Sequence, residues 1–164
     1  MKKTKRLFTK GQNAKFYKIN YNPDTIEWDF TWRMQIDPYP PEPSFQFIVE
    51  DTGEITKILE VWEAHFESLF YYAENADLLD NDFGKMWYDF CWIGNCDDDW
   101  LLDNKDIKDL ISILETVPLY ELSSKEKEGK YISEVQELTE LRDFLIKFLT
   151  TILSMGRTVY FRRD

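Results

Sequence analysis

The sequence predicts an α+β fold in which a mostly antiparallel sheet, an N-terminal three-stranded meander plus later strands, carries about three helices on one face. Residues 26–36 alternate apolar and polar side chains without a break, which is typical of a strand with one buried face. Residues 131–155 repeat apolar side chains at helical spacing. A chain of 164 residues with 16% aromatic residues suits one folded domain.

The N-terminal third indicates the meander. A short strand over 15–20 is followed by a turn over 21–24 and then by the strand over 26–36, and a third strand covers 45–50. We expect the middle strand to place six large apolar residues on one face: Ile26, Trp28, Phe30, Trp32, Met34 and Ile36. Four prolines within 37–43 prevent helix and sheet pairing, so this segment is either a rigid connector or a recognition loop.

The middle of the chain contains two predicted helices and a strand. Apolar residues at helical spacing predict a helix over 53–75. The aromatic composition of 83–93 favours a buried strand. Apolar residues over 107–114 mark a short helix that ends before Pro118.

The C-terminal part is predicted to contain the longest helix. Residues 121–130 are polar and read as a loop. The apolar stripe of the helix over 131–155 ends before Gly156, which stands at a C-cap position. Residues 158–162 complete the sheet as a final strand. We therefore expect a single domain over 1–164 with a basic tail at about 1–13.

Charge is unevenly distributed along the chain. The net charge is −11, and residues 1–20 carry seven Lys or Arg and no acid, while 157–164 carry three Arg and one Asp. Since the ends contribute +7 and +2, residues 21–156 carry −20. A field of that sign repels nucleic acid and attracts basic partners. The basic ends are either phosphate-binding segments or solvated tails.

Compartment follows from hydropathy and cysteine usage. No apolar run is long enough to span a bilayer, and the basic start lacks the apolar segment of a signal peptide. Two cysteines, Cys91 and Cys96, make no disulfide framework. We expect a cytoplasmic protein without membrane association.

The candidate binding site is an acidic stretch within residues 74–109. Three consecutive aspartates repel one another unless a cation or a basic partner lies near them, and a large aromatic residue follows directly. The stretch is either a partner-binding surface or a solvated loop, and Trp100 is either part of that surface or a core residue. The predicted partner-binding residues are Asp97, Asp98, Asp99, Trp100, Asp103, Asp80 and Asp82.

Metal sites are not predicted. The segment 80–84 resembles the start of an EF-hand loop, but its glycine falls one position early and Cys91 occupies the place of the bidentate glutamate. Zinc would need four closely spaced ligands, and the chain offers two cysteines and the single histidine His65. We expect Cys91 to be a small buried residue and Cys96, beside three aspartates, to be a poor nucleophile.

No catalytic motif is present, and no catalytic residue and no cofactor are predicted. His65 lies on an aromatic-rich predicted helix, where histidine more often has a structural partner than a catalytic role. Asp24 with the tripeptide 128–130 forms only a weak nuclease-like pattern. Hydrolysis that uses scattered carboxylates and a divalent metal leaves few sequence signals, so it stays an alternative.

These observations favour an acidic binding protein that blocks a basic surface of another macromolecule. Suitable biological settings are an immunity protein against a nuclease toxin or a phage-type inhibitor of a nucleic-acid enzyme. The partner would then be a basic protein rather than nucleic acid. A self-associating assembly protein, pairing through the polar face of the strand over 26–36, is a second alternative to inhibition.

Overall fold

The computed structural model describes residues 6–8, 15–34, 43–92 and 98–163. These residues form seven strands, five α-helices and a 3₁₀ turn at Pro23–Thr25. In chain order the strands and helices are β1 (Arg6–Phe8), β2 (Phe16–Ile19), β3 (Glu27–Trp32), β4 (Ser44–Asp51), β5 (Glu54–Trp62), α1 (Glu63–Asn75), α2 (Asp82–Trp92), β6 (Asp99–Leu102), α3 (Asn104–Thr116), α4 (Ser124–Lys127), α5 (Val135–Ser154) and β7 (Thr158–Arg163).

The strands form one mixed sheet in the order β1-β2-β6-β7-β4-β5-β3. The only parallel pair within the described residues is β3 with β5, and every other neighbouring pair is antiparallel. The last strand, β7, lies in the middle of the sheet and pairs with β6 on one side and β4 on the other. The predicted α+β class with a mostly antiparallel sheet is confirmed.

The helices cover one face of the sheet. Because side chains alternate along a strand, Phe47 of β4 and Phe161 of β7 face the helices, while Ile48 and Tyr160 face away. The helix-covered face shares a large apolar cluster with α1, α2, α3 and α5, in which Phe66 of α1 contacts Phe161 with ring centres 5.4 Å apart. The opposite face, called the open face below, holds a smaller cluster.

The longest helix, α5, ends as the sequence predicts. Gly156 follows its last residues with φ +65°, in the left-handed region that favours glycine. Its N–H donates to the carbonyl of Leu153 at 3.2 Å, and the N–H of Arg157 donates to that of Ile152 at 3.1 Å. These two bonds form a Schellman motif, which turns the chain directly into β7.

The predicted helix over 53–75 is wrong in its first half. Residues 54–62 form β5, and α1 begins only at Glu63. Most of β5 is buried on both faces, because it lies between β4 and β3 under the helices. Its apolar residues therefore recur at intervals that imitate helical spacing.

The predicted strand over 83–93 is also wrong, since residues 82–92 form α2. The large aromatic residues Phe83, Trp87 and Phe90 are buried together in the helix-side cluster. Their spacing of four and three residues places them on one face of a helix. Aromatic composition alone favoured a strand, and the spacing decides the structure.

The N-terminal meander is wrong as well. Strand β3 does not pair with β2, because the two lie at opposite sides of the sheet and β3 runs parallel to β5. A register shift between Asp29 and Trp32 rotates the end of β3. As a result Trp28 packs on the open-face cluster and Trp32 on the helix-side cluster, while Phe30 is 48% exposed. The predicted apolar residues that the structure describes therefore do not share one face, and Ile36 lies outside the described residues.

Three further segments complete the comparison with the sequence. Residues 6–8 of the predicted tail pair with β2 as strand β1, and the rest of 1–14 lies outside the described residues. Residues 37–42 of the proline-rich segment over 37–43 also lie outside them. The loop predicted over 121–130 contains the short helix α4. In the described ranges, no helix combines the length and the apolar character needed to cross a membrane.

Candidate functional site

Ion pairs inside the protein account for much of the predicted acidic site. Asp99 is buried, and its carboxylate accepts hydrogen bonds from Arg162 at 2.5 and 2.8 Å and from the N–H of Ile19 at 2.7 Å. Asp98 is also buried, 3.2 Å from the ammonium of Lys18. These two carboxylates join β6 to β2 and β7 and present little surface to a partner.

Trp100 is a core residue in this structure. It is fully buried, and its ring stacks on that of Phe83 with centres 4.9 Å apart. Asp97, the remaining member of the aspartate run, lies outside the described residues. The run of charge followed by an aromatic residue therefore reflects a buried strand, β6, which sequence reasoning did not predict.

Asp103 and Asp82 carry structural roles near the surface. The side chain of Asp103 accepts from the N–H of Asp106 at 2.9 Å, which caps α3, and it lies 3.3 Å from the ammonium of Lys15. Asp82, in the first turn of α2, is 2.7 Å from the ammonium of Lys105. Both have a cation beside them, which Asp103 shares with Asp106 and Asp82 shares with Asp109.

A different set of carboxylates lines a groove between α1 and α2. Two adjoining cavities, of about 300 and 500 Å³, share Glu74, Leu79 and Tyr88 in their walls. We call this feature the acidic groove and define it by Glu67, Glu74, Asp77, Asp80 and Tyr88. Of the predicted site residues that the structure describes, Asp80 alone lies in it. Across the described part of the chain, no Lys or Arg nitrogen lies within 4 Å of these four carboxylates.

The helix α1 and the loop after it position these acids. Glu67 and Glu74 are seven residues apart, so they lie on the same side of α1. Asp77 follows the helix with φ +56°, and its N–H donates to the carbonyl of Glu74 at 3.0 Å. The N–H of Leu78 donates to the carbonyl of Ala73 at 3.0 Å, which completes a Schellman motif with aspartate at the position that usually holds glycine.

The start of α2 fixes the other wall. Asn81 accepts at its Oδ1 from the N–H of Gly84 at 2.8 Å, which satisfies one of the free donors of the first turn. Gly84 packs directly on the preceding loop, because a β-carbon there would lie 2.4 Å from the carbonyl oxygen of Leu79. Only glycine permits this approach, which holds Asp80 against the groove.

Two groups in the groove have shifted pKa values. Partial burial of its carboxyl raises the pKa of Glu67 to about 7, and the hydrogen bond with Glu63 and that neighbour's charge act in the same direction. Arg163, whose Nη2 donates to Glu63 at 2.5 Å, opposes the shift. Burial likewise raises the pKa of Tyr88, and so do its hydrogen bond with Glu74 and the charge of that residue. Glu67 therefore exchanges a proton near neutral pH.

The floor of the groove is aromatic. Trp87 stacks on Phe70 with ring centres 4.3 Å apart, and both line the smaller cavity. Tyr71 lines it too, and the ammonium of Lys130 lies 4.8 Å from the centre of its ring. A cavity lined by both carboxylates and aromatic rings suits a Lys or Arg side chain, because its charge can pair with the acids and its alkyl stem can pack on the apolar wall.

His65 has a structural partner, as the sequence suggests. It is buried on α1, and its Nδ1 lies 2.7 Å from Ser133 Oγ. Ser133 in turn donates its N–H to Ser68 Oγ at 3.0 Å, so these contacts fix the segment before α5 against α1. Burial lowers the pKa of His65, and the charge of Glu137 opposes this. Cys91 is half-buried at the edge of the groove.

No group of three His, Cys, Asp or Glu side chains is placed to hold a metal ion in the part of the chain that the structure describes. The sequence contained one signal for the groove, the acids over 74–80, but it gave no reason to separate them from the aspartates over 97–99.

No protein-family model matches the chain, and no curated protein and no solved structure is significantly similar to it.

Proposed function

We propose that this chain is an acidic binding protein that blocks a basic surface of another macromolecule by taking its Lys or Arg side chains into the acidic groove. One observation carries the proposal. The acids Glu67, Glu74, Asp77 and Asp80 share one concave surface with aromatic rings and have no cation within 4 Å among the described residues.

The electrostatics of the whole chain support this function. The net charge of −11 attracts a basic partner from a distance, and the unbalanced groove would then bind individual side chains. Other aspartates contribute less to the attraction of a partner, because a Lys or Arg of the same chain lies beside each of them: Asp82, Asp98, Asp99 and Asp103. An immunity protein against a nuclease toxin, or an inhibitor of a nucleic-acid enzyme, fits this chemistry because such targets have basic substrate channels.

A titration with basic and acidic peptides tests the proposal. Hexa-arginine is added to the ¹⁵N-labelled protein, and backbone amide shifts are followed by NMR at low salt, with hexa-glutamate as the charge control. We expect the largest saturable shifts at residues of α1, α2 and the loop over 76–81. Shifts spread evenly over the acidic surface, or centred elsewhere, would contradict the assignment.

A matched pair of triple variants separates local binding from overall charge. The groove variant carries Glu74→Gln, Asp77→Asn and Asp80→Asn. Its control carries Asp24→Asn, Glu115→Gln and Glu134→Gln, three exposed acids away from the groove walls. Both lose three negative charges, so long-range attraction falls equally. We expect affinity for hexa-arginine to fall at least about tenfold in the groove variant relative to the control.

The self-association alternative uses the polar face of the strand over 26–36, and the register shift in β3 leaves no uniform polar face there. Pairing through the outer edge of β3 is opposed by the local geometry of the strand. The N–H of Thr31 donates to Asp29 Oδ1 at 3.0 Å, and the N–H of Arg33 donates to the carbonyl of Phe30 at 3.0 Å. These donors are used within the segment 29–33, next to the register shift. An edge of this kind is a poor template for a further strand.

A further inference from the structure

A second groove runs along the C-terminal half of α5, on the helix side of the sheet. Its α5 wall is a single stripe of the helix with residues three or four positions apart: Phe144, Lys147, Phe148, Thr151, Ile152 and Met155. At a rise of about 1.5 Å per residue, this stripe is about 16 Å long. The opposite wall belongs mainly to β3, β4 and β5. We call it the α5 groove, and it shares no lining residue with the acidic groove.

The floor of the α5 groove is apolar. It consists of Val49, Phe144, Phe148 and Ile152. The two phenylalanine rings are nearly parallel, with centres 6.3 Å apart. Phe144 is only half-buried, although Trp32 packs against it with ring centres 5.6 Å apart, and Met155 at the rim is 54% exposed. The floor therefore offers an elongated apolar surface that a ligand could remove from water.

The charges at the rim sum to zero. The lining contains three acids and three bases: Glu27, Asp29, Asp51, Lys57, Lys147 and Arg157. Lys57 lies 3.7 Å from Glu27, and Arg157 pairs with Asp51. In the described ranges Asp29 has no cation and Lys147 no carboxylate within 4 Å, so the two remaining charges have opposite signs. The rim favours no net charge on a ligand, while a charged group would lose its hydration on the apolar floor.

The dimensions of the groove favour a thin ligand. Its cavity measures about 500 Å³, within the range of about 300–1,000 Å³ that is typical of small-molecule sites. Along a stripe of about 16 Å this volume makes a narrow channel, whereas an α-helix with its side chains is about 10–12 Å across. An extended peptide would place its N–H and C=O groups over the apolar floor, which offers them no hydrogen-bond partner. A hydrocarbon chain has no such groups.

We infer that the α5 groove binds an elongated, uncharged apolar molecule of the class of long-chain alcohols and their esters. Its hydrocarbon chain would lie along Phe144, Phe148 and Ile152, and its small polar end would remain at the rim in contact with water. The inference does not depend on the acidic groove, which has a different lining and a different charge.

Competition between ligands of equal chain length tests the ligand class. The fluorescent probe N-phenyl-1-naphthylamine is uncharged at neutral pH, and we expect it to bind the folded protein saturably. The titration uses about 0.5 M NaCl, which screens the net charge of −11. Decanol should displace the probe at least about fivefold better than decanoate or decylamine. Binding that does not saturate, or displacement by either ion as good as by decanol, would overturn the inference.

Two variants test whether the rim charges select the ligand. Lys147→Gln and Asp29→Asn each remove one of the charges without a partner, and Asn retains the oxygen that accepts from the N–H of Thr31. An uncharged ligand does not use these charges, so the affinity for decanol should stay within about twofold of wild type in both. A larger loss in either variant would show that a rim charge holds the ligand and would contradict an uncharged one.

A matched pair of tryptophan variants locates the binding. Thr150 and Thr151 are neighbouring exposed residues of α5, but only Thr151 lines the groove. Thr151→Trp should fill the groove and lower the affinity for the probe at least about tenfold, whereas Thr150→Trp should leave it within about twofold of wild type. Urea unfolding confirms that both variants are folded. Equal probe binding by the two variants would place the probe elsewhere and refute the site.

Discussion

Arg162 and Asp99 form a two-point ion pair across the centre of the open face, although 63 residues separate them in the chain. Arg162 Nε donates to Oδ1 at 2.5 Å and Nη2 donates to Oδ2 at 2.8 Å, and the same Nη2 donates to the carbonyl of Ile19 at 2.9 Å. The pair connects β7, β6 and β2. Its burial explains why the aspartate beside Trp100 is structural in this fold.

Removing one member of this pair should be strongly destabilising. Asp99→Ala leaves the guanidinium of Arg162 and the N–H of Ile19 without their acceptor, so we expect a loss of about 3–5 kcal/mol in the free energy of unfolding. Asp82→Ala breaks a solvent-exposed pair with Lys105, which water screens, and should lower the free energy of unfolding far less. Urea unfolding measures both. Similar small losses would show that Asp99 is available for other contacts.

Gly84→Ala should destabilise the acidic groove through sterics. The added β-carbon would meet the backbone of Leu79, which cannot rotate away, so we expect a loss of about 1–3 kcal/mol. Lys85→Ala changes the exposed neighbour on the same helix and should stay within about 0.5 kcal/mol. Thermal unfolding of both variants checks this, and a Gly84→Ala protein as stable as wild type would contradict the close packing.

Two substitutions of Asp77 distinguish the effect of backbone strain on stability from the effect of its charge on binding. Its φ of +56° suits Asn or Gly but opposes a β-branched side chain, so Asp77→Val should cost about 1–2 kcal/mol and Asp77→Asn less than about 0.5 kcal/mol. Both variants remove the carboxylate from the groove. Hexa-arginine affinity should therefore fall equally in the two, while urea unfolding distinguishes them.

Stability should depend on pH through Glu67. Its pKa of about 7 in the folded chain exceeds the ordinary 4.5, so the folded state binds a proton that the unfolded state releases between these values. The contribution of Glu67 to stability is complete below pH 4.5 and is lost as the pH rises through about 7. Glu67→Gln should flatten this decline in urea unfolding between pH 4.5 and 8. A parallel decline in both proteins would contradict the shift.

The single histidine gives a second titration with the opposite sign. Burial lowers the pKa of His65, so its NMR titration midpoint should fall below 6.5. Stability linked to His65 is complete above pH 6.5 and is lost as the pH falls through the lowered value. Glu137→Gln removes the charge that opposes this shift and should lower the midpoint further. Glu140→Gln, one turn away, is the control.

The spacing of apolar residues and the capping residues predicted those helices and strands that depend mainly on interactions between neighbours in the sequence. The stripe of α5 and the glycine after it were sufficient to place that helix and its end, because spacing and cap act within the same few residues. The helix α3 and the strands β2, β4 and β7 were identified for similar reasons. The position of β3 beside β5 was not predicted, because strand pairing depends on contacts between distant parts of the chain.

In the candidate site, too, the sequence predicted what depends on neighbouring residues and missed the contacts between distant ones. Asp80 was predicted because it belongs to an acidic stretch, but the partners of Asp98 and Asp99 are Lys18 and Arg162, far away in sequence. Neither contact has a local signature. The groove also needs α2 to be a helix, and the spacing of Phe83, Trp87 and Phe90 would have indicated this had it been weighed above composition.

The central place of β7 in the sheet affects how the chain can fold during its synthesis. Two groups of strands, β1-β2-β6 and β4-β5-β3, are joined side by side only through this last strand. On the ribosome both groups must wait with exposed edges until residues 158–163 leave the exit tunnel. The complete sheet therefore cannot form before residues 158–163 are available, and chaperones that protect unpaired strands can act on the two groups until then.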